Sequence, residues 1–189
     1  MTAPMHLPQF VVKQKLTMMV NRYQVLTIGA DGSTGQLMAF AEQKRMAFKE
    51  QVTFFTDETR SRPVFGFRAR AVMYLGAGYD ITDEAGQQIG FFRKDFGKSL
   101  LRSTFHVEGP GYRGSGQERS QGVGLLRRFT DVDFLPIHFD FVDESGSPLF
   151  STDRKLAMRD TYHVAVPDTR VDFRVAAAVA VALDALMSR

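Results

Sequence analysis

The side chains best suited to chemistry in this sequence are its cations, and they gather most densely in "FFRKDFGKSLLR", Phe91 to Arg102. Arg93, Lys94, Lys98 and Arg102 are interleaved there with Phe96, Leu100 and Leu101. Cations beside apolar groups suit an anionic bilayer. The charges hold headgroups while the apolar groups insert shallowly, and each charge near such a surface contributes about 1 kcal/mol. Arg127 and Arg128 extend the set, which makes these residues the candidate lipid-binding group. The opposing reading is a solvated strand and turn whose Phe96, Leu100 and Leu101 fold back onto a core.

Other constellations are weaker. His106 and His163 stand in matching contexts, "FHVE" and "YHVA", on the strand face opposite Phe105/Val107 and Tyr162/Val164. No acid or thiol is spaced to complete a metal or acid–base site with them, so they read as solvent-facing strand residues. "TDVDFLP" opens like a calcium loop with Asp131 and Asp133, but Leu135 breaks the alternation of oxygen ligands. "GPGYRGSGQERSQGVG", residues 109–124, is rich in glycine. It has no GK[ST] ending and no nucleophile elbow, and it reads as a mobile surface loop. No catalytic residue, metal site or cofactor is expected.

Composition narrows the field further. The chain has no cysteine, which removes disulfides, thiolate metal ligands, a cysteine nucleophile and thioester-linked palmitate. Its 24 basic residues nearly balance 21 acidic ones, for a net charge of +3. That permits an anionic partner without requiring one, and with no recognition module framing the charge, nucleic acid is disfavoured. "MTAPMHLPQFVVKQK" has no apolar run after a basic start, so no secretory signal is expected and a cytoplasmic location is the default.

The elements that would carry these residues are mostly strands. "YDITDEAG" (Tyr79 to Gly86) and "FDFVDESG" (Phe139 to Gly146) repeat one pattern, each followed by a basic pair, Arg93-Lys94 and Arg154-Lys155. A fainter copy starts at Tyr23, with Ala30 to Gly32 as its turn, Lys44-Arg45 as its basic pair and Val52 to Phe54 as a later strand. Alternation marks "VFGFRARAVM", where Phe65 and Phe67 share one face and Arg68 and Arg70 the other. The Asp–Gly and Asp–Glu–x–Gly segments are hairpin chemistry. Three units of about four strands give about twelve, enough to close on themselves and leave room inside.

"VDFRVAAAVAVALDALM", Val171 to Met187, is what could fill that room. It is too short for the roughly 20 apolar residues of a membrane span. Alanine favours helix, and Thr169 stands three before Asp172 like a capping box. A helix apolar on all sides is buried on all sides. The expectation is one domain over residues 1–189: a mainly β, closed barrel of about twelve strands around a buried C-terminal hydrophobic helix at 169–187, with a short N-terminal tail at 1–8.

This pattern resembles the tubby C-terminal-like superfamily, and within it the LURP-one-related proteins and phospholipid scramblases. The residues carrying the likeness are "FVVKQK" at Phe10 to Lys15, "YDITDEAGQQIGFFRK" at Tyr79 to Lys94, and "VDFRVAAAVAVALD" near the C-terminus. The resemblance implies a twelve-stranded barrel threaded by its last helix and a role at anionic phospholipid or a membrane surface. The tubby signature segment and the scramblase cysteine cluster are absent, so no binding residue carries over from either. The alternatives are a protein-interaction or scaffold module and, more distantly, a small-molecule enzyme.

Overall fold

Side-chain alternation sets the architecture: along most strands every second residue is apolar, and those faces turn to one interior. The computed structural model describes residues 4–16, 20–44, 51–70, 78–95, 104–119, 137–154 and 161–187. Twelve strands appear among them: β1 (Gln9–Leu16), β2 (Val20–Ile28), β3 (Thr34–Lys44), β4 (Gln51–Phe55), β5 (Pro63–Ala69), β6 (Tyr79–Asp83), β7 (Gln88–Asp95), β8 (Thr104–Gly109), β9 (Tyr112–Glu118), β10 (Ile137–Asp143), β11 (Pro148–Arg154) and β12 (Thr161–Ala165). Each pairs antiparallel with the next, and β1 lies between β12 and β2, closing the barrel without an open edge.

One helix, α1 (Phe173–Met187), follows β12. Every residue from Val171 to Leu183 is buried, Val175, Val179 and Leu183 completely. The helix packs on β1, β5, β7 and β12, strands spread around the barrel, so it runs through the interior. Gly90 on β7 admits it: a Cβ there would come within 2.7 Å of the Val175 side chain. Phe173 wedges the helix start between Phe10 and Phe65, with ring centroids 6.2 Å away in both cases. No helix among the described residues is long and apolar enough to cross a membrane.

The cap of α1 differs from the expected Thr169–Asp172 box. Asp172 itself is the N-cap, its carboxylate accepting from the Arg174 N–H at 2.9 Å. The same carboxylate accepts from the Met5 N–H at 3.0 Å, and the Phe173 N–H donates to the Met5 carbonyl at 2.8 Å. Residues 4–8 are therefore tied across the helix entrance rather than forming a free tail.

The repeat is real down to backbone bonds. In the β6–β7 hairpin the Gly86 N–H donates to the Asp83 carbonyl and the Asp83 N–H to the Gln87 carbonyl, and Gly146, Asp143 and Ser147 do the same in β10–β11. Gly29, Gly32 and Ser33 repeat both bonds in β2–β3. Gly32, Gly86 and Gly146 sit at φ of 77°, 77° and 83°, the left-handed region that glycine enters without strain. Units β2–β5 and β6–β9 are complete. The third has β10–β12 and borrows β1 from the start of the chain as its fourth strand.

The glycine-rich stretch 109–124 is a strand over Tyr112–Glu118, not a mobile loop. Gly114 and Gly116 face inward, where a Cβ on Gly116 would come within 2.5 Å of the Phe141 ring. Phe141 stacks on Phe150 at 4.2 Å and fills the space that Gly116 leaves, while Leu149 and the Val142 carbonyl lie where a Cβ on Gly114 would go. The remainder, 120–124, lies outside the described residues.

Candidate functional site

Arg93 and Lys94 are consecutive strand residues, so they face opposite ways. Arg93 points outward and is exposed, directly across from His106 on β8. Lys94 points inward, half-buried, with its ammonium 5.9 Å from the centroid of the wholly buried Phe105 ring. The two do not share one basic surface. Lys98, Arg102, Arg127 and Arg128 lie outside the described residues.

Lys94 has a repeat counterpart that a different alignment hid. Lys94 pairs with Phe105 and Arg154 with Tyr162, and Phe105 and Tyr162 head the matching "FHVE" and "YHVA". The equivalence is thus Lys94 with Arg154, not Arg93 with Arg154. Arg154 too lies inward, its guanidinium carbon 5.4 Å from the Tyr162 ring centroid and its Nη1 donating to the Tyr162 hydroxyl at 3.0 Å. Gln14, Gln43 and Glu118 are also buried and face inward at this rim, so the barrel lining turns from aromatic to polar there. Among the described residues neither amide atom of Gln43 has a hydrogen-bond partner.

The outward histidines have acids beside them. His106 Nε2 lies 3.2 Å from Asp95 Oδ2, and His138 Nδ1 contacts Asp153 Oδ1. Asp153 also faces His163 across the β11–β12 ladder. Pairing register supplies these neighbours, which spacing along the chain does not reveal. Among the described residues no group of three or more His, Cys, Asp or Glu side chains is arranged to hold a metal.

Most surface arginines among the described residues are neutralised. Arg22 and Arg60 share Glu42, Arg113 meets Glu108, and Arg170 meets Asp143 and Asp168. Arg70 donates twice to Asp80, at 2.9 and 2.7 Å, while lying 4.0 Å over the Phe91 ring. Arg119 pairs likewise with Asp140, the repeat counterpart of Asp80, and the hydrogen bond from Arg119 holds the Asp140 carboxyl below its ordinary range. Among the described residues Arg93, Arg68, Arg62 and Lys15 are without a carboxylate partner.

Arg68 borders a second feature. Over the outer face of β4, β5 and β6 lies a groove of about 410 Å³ lined by Gln51, Thr53, Gly66, Arg68, Thr82 and Glu84 among others. Thr53, Gly66 and Thr82 occupy one ladder row, so two short hydroxyl side chains flank bare backbone. A Cβ on Gly66 would come within 2.8 Å of the Val52 carbonyl, so glycine is also what lets β4 approach. The signal was visible in "VFGFRAR", where a glycine interrupts the outward face just before two outward arginines.

A closed barrel around its own helix, with a lining that is aromatic before it turns polar at one rim, defines a helix-filled β-barrel module. Residues 37–184 match the LURP-one-related family model, and the chain belongs to that family. No curated protein matches the sequence.

Proposed function

We propose that this LURP-one-related barrel is a non-catalytic module that binds anionic phospholipid at a membrane surface, on its cytoplasmic side. The observation that carries this reading is Arg93, an exposed guanidinium without a carboxylate partner among the described residues, where most of the other surface arginines described are paired. It stands two residues before the end of β7 at Asp95, and in sequence Lys98 and Arg102 follow with Phe96, Leu100 and Leu101 between them. Arg127 and Arg128 follow β9 in sequence. The likeness to scramblases supports a lipid ligand. The helix-filled interior supports binding in place of catalysis, because an enzyme pocket is usually a concave cavity holding most of its ligand.

Co-sedimentation with phosphatidylserine vesicles tests this. Binding should weaken as salt rises, since the Debye length falls from about 10 Å at 0.1 M to about 3 Å at 1 M. Combining Arg93→Glu, Lys98→Glu and Arg102→Glu should abolish it with little change in melting temperature. Wild-type protein that ignores such vesicles at low salt overturns the reading and leaves protein interaction in its place.

A further inference from the structure

Arg93 belongs to a ladder row whose outward side chains can all donate to an oxyanion. Across β7, β8 and β9 the row reads Arg93, His106, Ser115, each directly opposite the next. Side chains placed in this way have Cβ atoms about 5 Å apart, so one small anion can meet neighbours in the row. The acids that border it are engaged. Asp95, two residues along from Arg93 on the same face, lies 3.2 Å from His106 Nε2. Glu108, two residues along from His106, meets Arg113 at 3.2 Å.

The matching row of the third unit is built the other way. Asp153 stands there in place of Arg93, His163 in place of His106 and Val11 in place of Ser115. An acid faces that histidine, whereas in the second unit a permanent cation does. A guanidinium and a charged imidazole directly opposite each other repel, and an anion seated between them removes that cost.

The histidine also selects the kind of anion. With Nε2 turned to Asp95, Nδ1 is the ring nitrogen left for a ligand among the described residues. It donates when protonated and accepts when bare. A phosphomonoester serves both states, because its second proton leaves at about pH 6: it accepts from the one and donates its own P–OH to the other. A phosphodiester has no P–OH at neutral pH and serves only the first. Guanidinium matches phosphate oxygens two at a time, and the Ser115 hydroxyl adds a donor on the far side of the ring.

We propose that Arg93, His106 and Ser115 form a phosphate site that takes the terminal phosphomonoester of a lipid headgroup, as in phosphatidic acid, in preference to phosphodiester headgroups. The assignment rests on the lipid reading of Arg93 and gives it a headgroup.

Glycerol 3-phosphate titrated into the ¹⁵N-labelled full chain tests the site apart from any membrane. Saturable amide shifts are expected at Arg93, His106 and Ser115, and dimethyl phosphate at the same concentration should leave them unmoved. Arg93→Gln and His106→Ala should each remove the shifts without altering the rest of the spectrum. In co-sedimentation, phosphatidic acid vesicles should hold the protein at salt that releases it from phosphatidylserine vesicles of equal surface charge, and His106→Ala should erase that difference. Binding to both vesicles without the shifts, or without a preference between them, overturns this proposal and leaves the lipid reading standing. Shifts in a protein that ignores both vesicles at low salt overturn the lipid reading and assign the row to free phosphate, so the headgroup assignment falls with it.

Discussion

Removing the Asp172 carboxylate is the sharpest test of how the helix is held. Asp172 and Arg174 are each only 4% exposed, and the carboxylate takes Arg174 Nη2 at 2.7 Å and Nε at 3.0 Å in addition to its two backbone donors. Asp172→Ala loses a helix cap, about 1 kcal/mol. It also leaves a buried guanidinium whose remaining acid, Glu84, is mostly solvated, and breaking a buried pair from one side costs about 3–5 kcal/mol. Urea unfolding should therefore show a loss of roughly 4–6 kcal/mol, with a melting temperature lower by about 10 °C or more. Asp172→Asn keeps the cap and loses the charge, so it should fall between. Adding Arg174→Met to Asp172→Ala should recover the larger part, because the stranded charge is gone. A single variant that loses less than about 1 kcal/mol, or a double variant no better than the single, refutes the account.

Two further outcomes follow from the polar groups. Gln43→Met removes two buried atoms without partners among the described residues and should raise unfolding free energy by about 1–3 kcal/mol, so a destabilised Gln43→Met would mean the amide is satisfied in solution. Asp143 is held at about 2, first by the Ser145 hydroxyl, then by the Ser147 N–H and Arg170, against an ordinary 3.8. A lowered carboxylate stabilises fully above its unfolded value and loses that contribution as pH falls through the folded one, so Asp143→Asn should flatten the decline in melting temperature between about pH 4 and pH 2.

Much of the architecture could be read from residue order because period-two alternation and glycine turns are local. The hairpins at Gly86 and Gly146 and the all-apolar face of α1 are of this kind. What could not be read depends on contacts across strands. The partnering of His106 with Asp95 is set by the β7–β8 ladder. The glycines of β9 look like a loop until Phe141 and Leu149 are seen to occupy their side-chain space. Counting would have found the Lys94–Arg154 equivalence, since each lies eight residues after its hairpin glycine, Gly86 or Gly146. Arg93-Lys94 and Arg154-Lys155 match as letters, and that match concealed it.

The closure of the barrel by β1 has a consequence for how the protein is made. Gln9 pairs with Ala165, and the helix that fills the interior is translated after every strand that surrounds it. Nascent β1 therefore waits for its second neighbour until β12 has left the ribosome, and the aromatic faces of all the strands wait for α1. Non-local pairing of this kind makes folding slow and leaves apolar surface open to aggregation meanwhile. Synthesis of this protein should lean on holding chaperones until α1 emerges.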